Sequence, residues 1–405
     1  MTVTKDSTVY YNMTLIDGTG NEPVEKAYFI VRGGRITERG TGQVTDEDQG
    51  MNKVDLSEKF VTPGLMNCHT HIVMEPVADL QGFFLKQTPE TLAVRGVANL
   101  QKLLASGTTF VRDMGAPHAV DIKVRQCMEE GVFKGPGLHC SARMITMTGG
   151  HGWMFGREAD GVDDVRKAAR EQLKSGADVV KIMATGGVLT PGVEPGSPQL
   201  TEEEIRAGVE EAHKAGKKTA SHAQGTTGIK NAVRAGIDSI EHGCFLDDEA
   251  VELMLEHDTY LVPTLAAVQL IVDNGTDAGI PEYAVKKCHY VIEHHIESFR
   301  KAHKAGVRIA CGTDASTPFN GFDMTAYELV LMARAGMTPS EAIVSATKTS
   351  AELIGCEEEY GTLEKGKFAD FLVLDQNPLS SLESLMNVQS VYKKGQKIVL
   401  GNIAS

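Results

Sequence analysis

The segment Pro63-Gly64-Leu65-Met66-Asn67-Cys68-His69-Thr70-His71 follows an apolar start at Phe60 and Val61 and ends in two imidazoles one residue apart. In an extended strand side chains alternate faces, so His69 and His71 point the same way. Neutral imidazole is the commonest metal ligand. Two on one face of a strand suit a metal better than they suit packing. A His-x-His pair by itself also fits an ordinary core or surface pair, so its meaning depends on partners elsewhere in the chain.

Downstream, a helical pattern ending in a small residue and Gly is followed by a short apolar run, and this recurs. Ser106-Gly107, Ser175-Gly176, Ala215-Gly216, Ala235-Gly236 and Ala305-Gly306 each precede such a run. Gly just past a helix takes the left-handed conformation cheaply. The helix starts are legible too. Thr88-Pro89 and Thr338-Pro339 offer a cap followed by Pro, and Thr201 with Glu204 makes a capping box. The predicted strands are 60–69, 108–113, 137–143, 177–182, 217–222, 237–242, 258–263 and 307–313. Eight strand–helix units over roughly 290 residues predict a (β/α)8 TIM barrel. An open doubly wound sheet fits less well, because no Gly-rich phosphate loop follows the first strand.

Upstream and far downstream the pattern is all β. Val9-Tyr10-Tyr11, Met13 to Ile16, Ala27 to Val31 and Arg35-Ile36-Thr37 alternate with turn residues. Strand signals return at Phe368 to Leu374, at Ser390-Val391-Tyr392 and, past a Lys393-Lys394-Gly395-Gln396 turn, at Ile398-Val399-Leu400. The chain therefore predicts a barrel over 61–357 and a small β domain from 1–60 plus 358–405.

Active sites of such barrels lie at the C-terminal strand ends. His69 and His71 end strand one, Lys181 strand four, His222 strand five, His242 strand six and Asp314 strand eight. Each has a bland alternative, a structural histidine or a buried ion pair. Their joint placement at strand ends points to one metal site.

Composition narrows the partners. The formal net charge of -14 argues against nucleic acid or an anionic membrane as the main partner. Met1 to Ser7 lacks a signal-peptide pattern, and no apolar run approaches the roughly 18 residues of a membrane helix. Seven cysteines without a C-x-x-C pair fit a reducing cytoplasm. No G-x-x-x-x-G-K-[ST] or strand-following G-x-G-x-x-G occurs, which leaves nucleotide binding without support.

With these residues in place, the chain resembles the amidohydrolase superfamily, from the Pro63-Gly64-Leu65 strand to Gly366-Lys367-Phe368-Ala369-Asp370. The resemblance implies a metal-dependent hydrolase on a barrel, with a β-sandwich built from both termini. It implies that His69, His71 and Asp314 hold one metal, that His222 and His242 hold a second, and that a carboxylated Lys181 bridges them. Zn2+ suits this His and carboxylate set, with Mn2+ or Co2+ as alternatives. The chemistry agrees. A lysine amine has one lone pair, whereas its CO2-derived carbamate has two oxygens and a negative charge. Burial would free the amine to react. A hydroxide bridging two metals would attack the amide carbonyl, with Asp314 as general acid/base.

The nearest branch by motif contains dipeptidases and carboxypeptidases that release Pro, Arg or Lys. The motifs are Thr148-Gly149-Gly150-His151-Gly152, Lys181-Ile182-Met183-Ala184-Thr185-Gly186-Gly187-Val188 and Ser239-Ile240-Glu241-His242-Gly243. The match makes His151 a candidate to contact the substrate carbonyl or carboxylate, with Gly150 and Trp153 beside it. Val268 stands about where carboxylate-binding relatives often carry Tyr. Asn67 and Gln224 also depart from the family pattern, in which Asp and His are common. The expected substrate is a dipeptide or N-acyl amino acid. The alternatives are a cyclic amide or imidazolone hydrolase and a non-catalytic scaffold. A homo-oligomer is expected.

Overall fold

The computed structural model describes residues 7–42 and 50–399. The stretch 1–6, read for a leader, and Leu400, expected in the last strand, lie outside them. The N-terminal strands are β1 (Ser7–Leu15), β2 (Val24–Arg32), β3 (Arg35–Thr41), β4 (Asn52–Asp55) and β5 (Phe60–Pro63). Then follow β6 (Leu65–Thr70), β7 (Thr108–Asp113), β8 (Gly137–Cys140), β9 (Ile145–Thr146), β10 (Arg157–Glu158) and β11 (Val179–Met183). The series continues with β12 (Lys218–Ala223), β13 (Ser239–His242) and β14 (Tyr260–Val262), and the chain ends in β15 (Phe371–Leu374), β16 (Ser390–Lys393) and β17 (Gln396–Lys397).

Both chain ends build one mixed sheet, in the order β17-β16-β15-β5-β1-β2-β3 with β4 on β1. Its inner face is aromatic. Phe371 and Tyr392 stack with ring centroids 4.3 Å apart, Tyr10 and Phe29 pack around them, and the Tyr10 hydroxyl donates to Gly395 O at 2.7 Å. The two short strands expected before Ile16 are one. Asn12, at φ 68°, absorbs a register shift between Tyr11 and Met13. Such a bulge lets a strand continue past a local misfit.

The expected strand over 60–69 is two strands in two sheets. β5 pairs with β1 and β15 of the mixed sheet, whereas β6 pairs with β7 in a parallel run. Gly64 makes the transfer possible, since a Cβ there would lie 2.2 Å from the Thr109 side chain.

The parallel strands form two runs, β6-β7-β8 and β10-β9-β11-β12-β13-β14. The expected strand 307–313 is an extended segment with single bridges, Leu261 to Ile309 and Thr70 to Ala315. It donates and accepts on both sides: Ala310 N–H reaches Leu261 O at 2.9 Å, and Cys68 N–H reaches Cys311 O at 2.8 Å. Just past it Asp314 and Ser316 take left-handed φ of 58° and 92°.

Helices between the strands begin where the caps predict. Thr88, Thr201 and Thr338 each form a capping box. The helices' apolar stripes meet alternate strand residues. Val180 and Ile182 of β11 join one core cluster with Val165, Ala169, Ile205 and Val209. By the two-residue period of a strand, Lys181 between them faces the other way. Among the described residues no helix is long and apolar enough to cross a membrane.

Candidate active site

Lys181 is 1% exposed, and its Nζ has no hydrogen-bond partner among the described residues. Burial pulls its pKa down to about 8, against the opposing pull of Glu241 and Asp314. An unpartnered buried amine is costly and calls for an explanation. Around it stand the other strand-end residues of the sequence analysis.

Each of the four histidines is tethered through one ring nitrogen. His69 Nδ1 lies 2.7 Å from Glu241 Oε2, His71 Nδ1 3.1 Å from Gly115 O, His222 Nε2 2.9 Å from Gly186 O, and His242 Nδ1 2.7 Å from Thr264 Oγ1. The other nitrogen of each ring remains for a ligand. This is the tethering that metal-binding imidazoles use to fix ring and tautomer. His69 Nε2 and His71 Nε2 both approach Asp314 Oδ1, at 3.4 and 3.3 Å. Ligand atoms of His69, His242 and Asp314 lie within 4.8 Å of one another. His222 joins them with its ring centroid 4.5 Å from that of His242. The residues present therefore fit a divalent metal centre.

Electrostatics separates the donors from their supports. Burial pulls His69 down to about 4 and holds His222 and His242 well below the usual imidazole range, which favours the uncharged ring. Burial pushes Asp314 up, but His69 and His71 outweigh it and hold the carboxyl below its usual range. The backbone is bent to serve the site. His242, Thr264 and Asp314 all take left-handed φ, at 75°, 51° and 58°, which costs a non-glycine residue of order 1 kcal/mol or more. Asn320 Nδ2 holds the Asp314 turn by donating to Thr313 O at 2.6 Å and Asp314 O at 3.0 Å.

Behind these donors lies a supporting layer of buried charged and polar side chains. Glu241, fully buried, joins His69 to Arg112, whose NH2 donates to Glu241 Oε1 at 2.9 Å. Arg112 also donates from Nε to Cys68 O at 2.7 Å and from NH1 to Ser239 Oγ at 3.2 Å. It thereby spans from β7 to β6 and β13. Burial raises a carboxyl pKa, yet Arg112 and His69 hold Glu241 down to about 2. The available signal was a charged residue inside each of two buried strands. Asn67, an expected departure from the family pattern, ties β6 to the 307–315 segment through Nδ2, which donates to Thr313 Oγ1 at 2.8 Å, and through Oδ1, which accepts from Thr313 N–H at 3.2 Å. Gln224 is buried away from the cavity wall, and its backbone N–H donates to Thr185 Oγ1.

A cavity opens over the cluster. Its wall carries Met74, Leu80, Met144, Met154, Phe155 and Leu189, with His151 beside His222 at a ring separation of 4.4 Å. Three sequence expectations do not lie on this wall. Gly150 serves the turn itself, since a Cβ there would lie 2.4 Å from Thr146 Oγ1. Trp153 is 43% exposed: the left-handed turn at Gly152 turns it outward while Met154 and Phe155 face the cavity. Val268 is buried on the helix Leu265–Asn274 and faces a separate cavity with Tyr327 and Arg300.

Residues 60–398 match the model of the Amidohydrolase family. The chain belongs to that family. It is an enzyme that hydrolyses carbon–nitrogen bonds, and its α/β fold is the family's. A solved Xaa-Pro dipeptidase with methionine in its active site is 33% identical, with a TM-score of 0.90 over 97% of this chain and 99% of that one. A solved prolidase in complex with N-methylphosphonate-L-proline is 30% identical, with a TM-score of 0.89 over 97% and 99% of the two chains. Ochratoxinase of Aspergillus niger is 29% identical over 97% of this chain and 87% of its own.

Proposed function

We propose that this amidohydrolase cleaves the amide bond of a dipeptide or an N-acyl amino acid. In this reading His69, His71 and Asp314 hold one divalent metal, His222 and His242 a second, and carboxylated Lys181 bridges them. The observation that carries the reading is the buried Lys181 amine, unpartnered among four histidines each tethered through one nitrogen. Two metals, best matched by Zn2+ for a thiolate-free set of imidazoles and carboxylates, would supply Lewis acidity to the carbonyl and to water. Asp314 takes the water proton and returns it to the leaving amine. His151 contacts the substrate oxygen. The methionine, leucine and phenylalanine wall receives the apolar part of the substrate and excludes water.

The same reading takes the parallel strands as one (β/α)8 barrel over 61–357. It takes the mixed sheet as a β-sandwich domain of 1–60 plus 358–405. Supporting it, the 307–315 segment bonds to both β6 and β14, and Asp178 N–H bonds to Cys140 O across the gap between the two runs. Supporting the substrate class, the similar solved structures include an Xaa-Pro dipeptidase and a prolidase holding a proline phosphonate. All seven cysteines are free, in keeping with a cytoplasmic location, and the homo-oligomer is a matter for light scattering. The test is a panel of Xaa-Pro, Xaa-Arg and Xaa-Lys dipeptides, N-acetyl amino acids and hydantoins with the zinc-loaded enzyme. Cleavage of linear amides at a kcat/KM of about 10⁴ M⁻¹s⁻¹ or more is expected. Ring opening with no linear cleavage overturns the substrate assignment.

A further inference from the structure

His151 sits in a seat built on three sides. The His222 ring lies on one face. Gly187 lies against the ring so closely that a Cβ there would fall 2.5 Å from His151 Cε1. Thr190 Oγ1 lies 2.8 Å from His151 Nδ1. Thr190 is 4% exposed, and a buried hydroxyl as a rule finds its partners among its neighbours.

A hydroxyl has one proton to give and two lone pairs to receive. Thr190 Oγ1 receives the Gly152 N–H at 3.3 Å. If His151 Nδ1 carried a proton, Oγ1 would receive a second N–H, and the hydroxyl proton would face no acceptor among the described residues. The imidazolium fails for the same reason. Among the described residues, only an unprotonated Nδ1 gives every group a partner. We infer that Thr190 is a positioning residue: its O–H donates to His151 Nδ1 and fixes His151 as the Nε2–H tautomer, so that the ring presents an N–H donor to the oxygen of the substrate.

The loop that carries Thr190 is itself held. Lys287 Nζ donates to Thr190 O at 2.9 Å and Val193 O at 2.5 Å, and the Tyr283 hydroxyl donates to Leu189 O at 3.1 Å. Both come from the first turns of the helix Glu282–Ala305. The donor thus rests on a 24-residue helix rather than on a free loop, as preorganised catalytic dipoles require.

The inference rests on the reading of His151 as a substrate-facing residue, and two measurements keep them apart. The first needs no substrate. In zinc-loaded protein labelled with 15N-histidine, two-bond 1H–15N correlations identify the tautomer, with His151 assigned by its loss in His151→Gln. The Nε2–H pattern is expected in the wild type and in Thr190→Ser, and a mixture of tautomers in Thr190→Val. An Nδ1–H pattern in the wild type, or a pattern unmoved in Thr190→Val, overturns the inference. The second is steady-state kinetics on the fastest-cleaved member of the panel above. Thr190→Val lowers kcat about tenfold with KM within twofold, Thr190→Ser restores it, and Thr190→Val adds nothing on top of His151→Gln. Undiminished turnover in His151→Gln would instead sink the substrate-facing reading and leave the tautomer assignment intact.

Discussion

The aromatic core of the mixed sheet and the cluster at the ends of the parallel strands both lie largely inside the protein, yet they are built on opposite terms. In the first, Tyr10, Phe29, Phe371 and Tyr392 pack ring on ring, and the Tyr10 hydroxyl has its acceptor. In the second, four histidines, an aspartate and a lysine crowd together, three non-glycine residues sit at left-handed φ, and one amine is orphaned. The first region lowers the free energy of the fold. The second raises it and is held in place by its surroundings. Local rules fail together where a site is prepared for something the chain itself does not contain.

Substitutions can break this contrast. The largest effect falls on Asp314→Asn. Asn tolerates the left-handed backbone at 314 and keeps the shape, so the fold persists while kcat/KM drops about 10³-fold or more, read by steady-state hydrolysis. Next is Glu241→Gln, which leaves the Arg112 guanidinium buried without its carboxylate. A stability loss of about 3–5 kcal/mol in urea denaturation is expected. A 10–100-fold loss of zinc affinity by chelator competition should accompany it. Phe29→Ala in the sheet costs about 3–5 kcal/mol by the same denaturation, but the folded fraction turns over at the wild-type rate. If Phe29→Ala lowered kcat as Asp314→Asn does, the two regions would not be separable in function. The smallest effect belongs to Trp153→Ala. Because Trp153 is turned to solvent, kcat/KM stays within about twofold of the wild type, well under the ~1 kcal/mol of a lost contact.

Much of this was legible in the sequence because it is written in short-range periods. Capping boxes, strand-ending histidines and the inward Lys181 between two apolar residues all follow from spacings of two to four residues. The split at Gly64 was half visible. Pro63-Gly64 marks a break, but the neighbour that demands glycine there is Thr109, 45 positions on. The Arg112–Glu241–His69 chain was not visible at all, because it joins three strands far apart in sequence, and each charge read alone resembles an ion pair. Trp153 and Val268, expected beside the substrate, lie off the cavity wall. Nearness in sequence to a site residue says little about direction, and one left-handed glycine is enough to turn a side chain away. The strand expected over 307–313 is an extended segment that bonds to β6 and β14 but keeps only single bridges, a loss of regularity that no short-range pattern marks.

If the orphaned Lys181 completes a two-metal site, its loss should deplete that site of metal. Metal content by plasma mass spectrometry, after zinc loading in bicarbonate buffer and exhaustive dialysis, tests it most directly, with Lys181→Ala measured beside the wild type. About two equivalents per chain in the wild type, one or fewer in Lys181→Ala and turnover lost with the second metal are the predicted results. A single equivalent in a fully active wild type, or two equivalents with full turnover in Lys181→Ala, would contradict it.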